Sequence, residues 1–306
     1  MFGRRKKQKS APDIESLLVK LGDLDIGTVS TVFSKIAGTG PDPNAQTKAL
    51  TSACDLCKPA GARILRAANS DRFARDAQQR VTTVDEAIRR LGLETAGEMI
   101  MAAATRSLFK AAERVQDYSA GALWQHGLAV ALANRLLYYH RFGGHTFWPF
   151  AAGLLHDIGI LIEHCTLFND GFAEAVADRF ANRSLLVDEE RKHLAISHEQ
   201  IGAHIAKIWD LPPAVINVLG HHHDLNATGM ESLRLIHVTR LSEALSFEMQ
   251  NGYCDFSEAY TEALLASRQA LDINDDAILE TAGSLKTEVA NYKDLGWFAE
   301  TILRPR

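Results

Sequence analysis

The amino-acid sequence predicts an all-α protein that is divided into two helical lobes. Apolar residues recur at helical spacing almost everywhere, as at Leu128, Leu132 and Leu136. No long segment alternates apolar and polar residues, which is the pattern of a half-buried strand. We therefore expect helices packed on helices, without a sheet of any size.

Short sequence signals mark where several helices begin and end. Capping boxes, in which two side chains bond to the backbone of the first helical turn, require an S/T-x-x-E/Q pair. Such pairs occur at Thr83 with Glu86, Ser197 with Gln200, and Thr228 with Glu231. Glycine or proline ends the helical pattern at 92, 143–144 and 211–213. None of these turns is long enough to be a flexible linker.

Four segments are expected along the 306 residues. Residues 1–20 form a basic, disordered tail, and residues 21–117 form a first helical lobe. A second helical lobe covers 118–250, and 251–306 is a helical extension of unknown role. All twelve histidines lie between 118 and 250. Any chemistry is therefore expected in the second lobe.

Composition and charge exclude several functional classes. The net charge of -5 gives no general attraction to nucleic acid. No apolar run is expected to approach the roughly 20 residues of a membrane helix, and the N-terminus lacks the apolar stretch of a secretory signal. These features predict a cytoplasmic protein without a transmembrane segment. The four cysteines are too few for a disulfide framework, and the lone pair Cys54 and Cys57 is expected to be small buried residues.

An ordered series of histidines with one aspartate is the most informative feature. The series contains His126, the pair His156 and Asp157, His198, and the doublet His221 and His222. Helices that are distant in sequence each deliver one or two ligands to a buried metal in this way. Asp157 stands in an apolar segment, where a buried carboxylate needs a cation, a basic partner or several donors. We expect one or two divalent transition-metal ions, Fe, Mn, Zn or Ni.

Several segments together carry a resemblance to a known family. They are 64–70 (ILRAANS), 82–92 (TTVDEAIRRLG), 124–126 (WQH), 153–159 (GLLHDIG), 197–202 (SHEQIG) and 209–212 (WDLP). In this order they resemble an HDOD domain over roughly residues 25 to 245. The resemblance implies an all-helical HD-superfamily fold, with the second lobe as the HD-like bundle. It also implies a bacterial signalling role with an unidentified protein partner, in a family where activity is generally not established.

The resemblance also implies a set of metal ligands. In a two-metal site of the HD superfamily, His126, His156, Asp157 and a late aspartate hold one cation. Asp157, His198, His221 and His222 hold the other. The family pattern puts the late aspartate at Arg240, whose guanidinium cannot ligate a cation. Arg240 is expected to pair with Asp157, to bind an anion such as phosphate, or to point to solvent.

Features of the related HD-GYP phosphodiesterases are also missing. Ile160 stands where those enzymes carry a lysine, and Ala122 stands where they carry a glutamate. No GYP triplet follows His221 and His222.

Two functional hypotheses from different classes follow. The first is a non-catalytic signalling module whose histidine cluster holds a structural or sensing metal. The second is a metal-dependent phosphohydrolase, in which Asp157 and His198 with a cation activate water and Arg240 or Lys207 binds the phosphate of a phosphoester or nucleotide. A third interpretation is a cluster that binds nothing and is satisfied internally.

Overall fold

The described residues of the chain form helices joined by short turns and one small hairpin. The structure, a computed structural model, describes residues 10–22, 24, 26–37, 39, 42–73, 80–110, 113–144, 146–224, 227, 233–248 and 258–297, without the side chains of 37, 248 and 258–263. The all-α prediction is confirmed. Two capping boxes form as predicted, at Thr83 and at Ser197, whereas the pair Thr228 and Glu231 lies outside the described residues.

The first group of helices precedes residue 107. It comprises α1 (Ile14–Lys20), α2 (Ile26–Ala37), α3 (Pro43–Leu56), α4 (Lys58–Ala68), α5 (Val84–Leu91) and α6 (Leu93–Arg106). Helix α1 lies inside the predicted disordered tail, so the part of that tail from Ile14 onward is helical. Asp13 begins α1 by accepting a hydrogen bond from the amide of Ser16.

The second group of helices follows a short antiparallel hairpin. The hairpin pairs β1 (Arg114–Val115) with β2 (Tyr118–Ser119). After it come α7 (Ala120–Phe142), α8 (Trp148–Leu155), α9 (Ile158–Leu167), a 3-10 turn at Phe168–Asp170, α10 (Phe172–Asn182), α11 (Leu186–His193), α12 (His198–Ile208) and α13 (Pro213–His221). The chain continues with α14 (Leu233–Glu248), α15 (Glu258–Leu271) and α16 (Asp275–Asp294).

Helix α7 is the centre of the packing. It lies against α8, α14 and α16, while α12 packs on α9 and α13. One continuous apolar core runs through both groups of helices, from Leu17 to Trp297. The extension at the C-terminus is therefore part of the same core.

An ionic network adds to the attachment of the extension. Arg135 of α7 binds Glu98 of α6 at 2.8 Å and Glu288 of α16 at 2.9 Å. A second arginine, Arg72, binds the other oxygen of Glu288 at 2.6 Å. Burial raises the pKa of Glu98 to about 7, although Arg135 opposes the rise. The ionic network thus links the first group of helices, α7 and the C-terminal helix α16.

One apolar stretch is longer than expected, because no apolar run was predicted to approach the length of a membrane helix. The 23 residues Trp148–Asp170 contain an 18-residue window with a mean hydropathy of 1.3, which meets the length and composition of a membrane span. In that window 89% is buried inside the protein, and the stretch is broken by the turn at His156 and Asp157. It forms α8 and α9 of the core, and the core helices of a soluble protein can have the length and composition of a membrane span.

Two glycines permit the close packing on which the second lobe depends. A Cβ at Gly153 of α8 would lie 2.8 Å from the backbone of Ala131 of α7. A Cβ at Gly159 of α9 would lie only 2.1 Å from the carbonyl oxygen of His198. The starts of α9 and α12 therefore touch through backbone atoms, which places Asp157 beside His198.

The cysteines agree with their predicted role. Cys54 and Cys57 are buried as thiols, and Cys254 lies outside the described residues. Burial raises the pKa of Cys54 to about 12, which keeps this thiol unreactive.

Candidate metal centre

Four separate parts of the second lobe deliver the predicted ligands to one place. His126 comes from the middle of α7, and His156 and Asp157 form the turn between α8 and α9. His198 is the first residue of α12, and His222 directly follows α13. All five residues are buried, with Asp157 the most exposed at 6%. The structure thus brings together five of the six residues that were predicted as ligands.

Asp157 lies at the middle of this cluster, with one oxygen towards each pair of histidines. Its Oδ2 is 3.2 Å from Nε2 of His156 and 3.7 Å from Nε2 of His126. Its Oδ1 is 3.3 Å from Nε2 of His222 and 3.7 Å from Nε2 of His198. A carboxylate placed in this way can bridge two cations.

The other nitrogen of three of these rings binds to the protein. Nδ1 of His156 donates to the carbonyl of Gly153 at 2.8 Å, and Nδ1 of His222 donates to the carbonyl of Val218 at 3.0 Å. Nδ1 of His198 is 2.8 Å from Glu190. A metal-ligating histidine almost always donates its second ring N–H in this manner. The rings are therefore oriented with Nε2 towards the centre.

Distances among the Nε2 atoms fit a shared cation. Nε2 of His126 and Nε2 of His156 are 3.2 Å apart, and Nε2 of His198 and Nε2 of His222 are 3.4 Å apart. Nitrogens bound at roughly 2.1 Å around a tetrahedral ion are about 3.4 Å apart. The donor set is imidazole with carboxylate, which suits first-row transition metals. The residues present fit a metal at both ends of Asp157.

The predicted ligand His221 is not in the cluster, and His223 takes its place. His221 is the last residue of α13, with its side chain 43% exposed, and its ring nitrogen lies 3.8 Å from Asp224. His223 is 7% exposed, and its ring lies 4.2 Å from that of His222. It groups with Asp157, His198 and His222 within ligand distance. Because α13 ends at His221, the next two histidines turn inward.

Arg240 has a different environment from each one that was predicted. It is 3% exposed, so it does not point to solvent. Its guanidinium donates to the carbonyls of His221, His222 and Asp224 at 3.3, 2.7 and 2.5 Å. These are carbonyls at the C-terminal end of α13, where a cation is favoured by the helix dipole. Arg240 therefore fixes the turn that carries His222 and His223.

A carboxylate on α14 reaches the cluster at Glu243, one helical turn after Arg240. Its Oε1 lies 3.5 Å from Nε2 of His156, and it groups with His156 and His222 within ligand distance. Positions three apart share a helix face, so a carboxylate at 243 reaches the site that the family pattern assigns to 240. Glu243 was not predicted from the sequence, because the family pattern points to an aspartate at position 240 alone.

Lys207, the second predicted phosphate ligand, is far from the cluster. It is exposed in the last turn of α12, whereas His198 begins that helix. Nine residues of helix separate them by roughly 14 Å. The structure does not bring Lys207 and the centre together.

The electrostatics of the metal-free centre depend on burial and on carboxylates. Burial and, to a smaller extent, the neighbouring His156 lower the pKa of His126 to about 3, although Asp157 opposes the fall. Burial opposes a charge on His198, but Glu190 and Asp157 raise its pKa to about 10. Burial also opposes the charge on Asp157, yet His156, His222 and His198 hold its pKa well below the ordinary value. Without a metal, burial thus favours the neutral form of His126, whereas the neighbouring imidazoles favour the charged form of Asp157.

Comparisons with known proteins place the chain in a family. The family model of the HDOD domain matches residues 26–225. No curated protein matches the chain significantly. Helix α14, which carries Arg240 and Glu243, follows the matched region.

Solved structures share the fold at low sequence identity. An HDOD domain protein of unknown function from Geobacter sulfurreducens is 21% identical, with a TM-score of 0.65, 96% of this chain covered and 94% of that one. A protein provisionally named a phosphohydrolase, from Shewanella amazonensis SB2B, is 20% identical, with a TM-score of 0.65 and coverage of 93% and 98%. A protein provisionally named a signal transduction protein, from Marinobacter aquaeolei VT8, is 19% identical, with a TM-score of 0.69 and coverage of 96% and 63%. With the family match over residues 26–225, the chain belongs to the HDOD family.

Proposed function

We propose that this protein is a non-catalytic HDOD signalling module whose second lobe holds divalent transition metal in a closed centre. The observation that carries the proposal is the burial of the ligands. His156, His198 and His222 are 0% exposed, and Asp157 is 6% exposed. Structural metal sites are closed by protein ligands, whereas catalytic sites keep a position open for water or substrate. The burial of these ligands therefore supports a structural or sensing metal.

The groups that would bind a phosphoester also support this proposal. Arg240 donates its N–H groups to backbone carbonyls, so it is not available to a phosphate. Lys207 is at the far end of α12. Ile160, at the position of the HD-GYP lysine, is an apolar core residue with 1% exposure. Phosphoryl chemistry needs positive groups around the transferred phosphate, and these three positions supply none.

A metal-dependent phosphohydrolase is the second candidate, and one observation favours it. Asp157 directs one oxygen to each pair of histidines, as a carboxylate does between two catalytic metals. Two solved structures with this fold, both from Shewanella amazonensis SB2B, are provisionally named phosphohydrolases. In this case Asp157 and His198 would hold the metal that activates water.

An activity screen separates the two candidates. The wild type, Asp157→Asn and His221→Ala are each supplied with Mn, Fe, Co, Ni or Zn and assayed on cyclic dinucleotides, nucleotides and general phosphoesters. The proposal predicts that the wild type turns over no substrate faster than Asp157→Asn does. Turnover that Asp157→Asn abolishes and that His221→Ala retains would establish the phosphohydrolase instead.

The signalling role extends to a protein partner, whose identity is open. A protein with this fold, from Marinobacter aquaeolei VT8, is provisionally named a signal transduction protein, which supports this role. A cytoplasmic location remains a prediction of the sequence.

A further inference from the structure

A second row of buried carboxylates lies behind one half of the metal centre. Glu163 of α9, Glu190 of α11 and Glu199 of α12 are 0%, 0% and 3% exposed. A buried carboxylate is unfavourable unless donors or cations satisfy it. The partners of these three residues therefore indicate their role.

Glu190 holds His198 by both its ring and its backbone. Nδ1 of His198 lies 2.9 Å from Oε1 and 2.8 Å from Oε2 of Glu190. The backbone amide of His198 donates to Oε2 at 2.9 Å. One carboxylate thus fixes the position of the first residue of α12 and the orientation of its imidazole.

The far side of the same ring faces the centre. Nε2 of His198 lies 3.4 Å from Nε2 of His222 and 3.7 Å from Oδ1 of Asp157. With the proton held on Nδ1 by Glu190, the Nε2 lone pair is the one offered to a cation. Glu199 acts similarly on the next ligand, since its Oε1 accepts the backbone amide of His223 at 2.9 Å.

Glu163 is a buried neighbour of Glu190 and differs from it in its contacts. Its oxygens accept no hydrogen bond from an N–H group or hydroxyl among the described residues, and its side-chain neighbour is the carboxyl group of Glu190. Burial and the nearby Glu190 raise the pKa of Glu163 well above its ordinary value. The N–H donors of His198 bind to Glu190, and none of them binds to Glu163.

We propose that Glu190 is a positioning residue that presents Nε2 of His198 to the metal, and that Glu163, which makes no hydrogen bond to His198, does not share this role. This inference rests on the proposed metal binding. It predicts that metal binding depends on the carboxylate that holds His198, at Glu190, and does not depend on the carboxyl group of Glu163. The same glutamate-to-glutamine substitution, made at each position in turn, therefore distinguishes the roles of the two residues.

The experiment compares three glutamate-to-glutamine variants of the full chain. Glu190→Gln and Glu163→Gln test the two buried residues, and Glu189→Gln is the matched control. Glu189 is adjacent on α11 and 2% exposed, but it bonds to Lys192 and Ser184. Affinity for Zn²⁺ and Co²⁺ is measured by chelator competition, and the Co²⁺ absorption spectrum reports on the ligands directly. Circular dichroism of each metal-free variant reports whether it is folded.

Glu190→Gln is expected to weaken metal binding about 10- to 100-fold, the usual cost of losing such a partner, and to change the Co²⁺ spectrum. Glu163→Gln and Glu189→Gln are expected to stay within roughly twofold of the wild type, because neither side chain makes a hydrogen bond to His198. If Glu190→Gln fails to fold, Glu190→Asp is used. Its carboxylate is one methylene group shorter and no longer reaches Nδ1 of His198, so it must also weaken metal binding and change the Co²⁺ spectrum.

Two results would overturn the inference while leaving the proposed function intact. One is a wild type that binds metal and a Glu190→Gln protein with equal affinity and the same spectrum. The other is a loss in Glu163→Gln as large as that in Glu190→Gln. A wild type that binds no metal would overturn both proposals together.

Discussion

Replacement of Gly159 by alanine tests the backbone contact on which the centre depends. The added Cβ would lie 2.1 Å from the carbonyl oxygen, 2.7 Å from the carbonyl carbon and 2.8 Å from Cα of His198. These are backbone atoms, so no side-chain rotation relieves the clash. Because ordinary contact begins near 3.4 Å, α9 and α12 must separate by about 1 Å. This moves Asp157 and His198, which lie at the starts of those helices.

The expected cost follows from this displacement. Overpacking of a core typically costs about 1–3 kcal/mol, and a clash with backbone belongs at the upper end of that range or beyond. Gly159→Ala should therefore lower the free energy of unfolding by about 3 kcal/mol and weaken metal binding as well. The matched control is Gly283→Ala in α16, where an added Cβ meets nothing within 4 Å. That variant should gain about 0.5–1 kcal/mol from higher helix propensity.

Urea denaturation of the metal-free proteins measures both stabilities, and chelator competition measures the metal affinity. The reasoning is refuted if Gly159→Ala unfolds at the same urea concentration as the wild type and binds metal equally well. It is also refuted if the two alanine variants lose similar stability.

Three further outcomes are expected. His223→Ala should weaken metal binding, whereas His221→Ala should leave it unchanged, because only His223 lies in the cluster; chelator competition compares them. The pKa of metal-free His198 is raised to about 10, so a metal must displace a proton from this ring. The affinity for metal should therefore rise with pH, by up to about tenfold per pH unit below pH 10. Metal titrations between pH 6 and 9 check this, and an affinity that does not change with pH would contradict it. The raised pKa of Glu98, about 7 against an ordinary 4.5, means that the folded chain keeps a proton that the unfolded chain releases. The favourable contribution of this proton to the free energy of unfolding is fully present below pH 4.5. It is lost as the pH rises through 7, which lowers the free energy of unfolding by about 3 kcal/mol. Glu98→Gln should therefore show a flatter dependence of unfolding free energy on pH across this window, and an unchanged slope would be the contrary result.

The fold was predictable because its signals are local. Helical periodicity and the capping residues Thr83 and Ser197 depend on short stretches of chain, and the structure has helices there. The tail was harder, because Ile14–Lys20 forms a helix whose single buried residue, Leu17, gives little periodic signal. Packing against α9 decides its structure.

The centre was predictable in part, and the errors have a physical cause. Three consecutive histidines point about 100° apart on a helix, so the sequence cannot say which two face inward. The end of α13 at His221 decides that His222 and His223 do. Glu243 was missed because a neighbouring turn of α14 can deliver a carboxylate to the same place.

The supporting acids were missed for a different reason. Glu190 and Glu199 act on backbone amides and ring nitrogens of residues that are brought near only by folding. One signal was available, because Glu163 interrupts the apolar run that follows Asp157. A charge in such a run needs a partner, and this holds for Glu163 as it does for Asp157.

Metal content per chain tests the central claim most directly. Elemental analysis is made on the wild type and on His198→Ala, both purified without a histidine tag or chelator and then incubated with Mn, Fe, Ni or Zn. The account predicts at least one bound transition-metal ion per chain in the wild type and a clear loss in His198→Ala. Absence of metal from both proteins would contradict it and would leave a polar cluster that is satisfied by its own imidazole and carboxylate pairs.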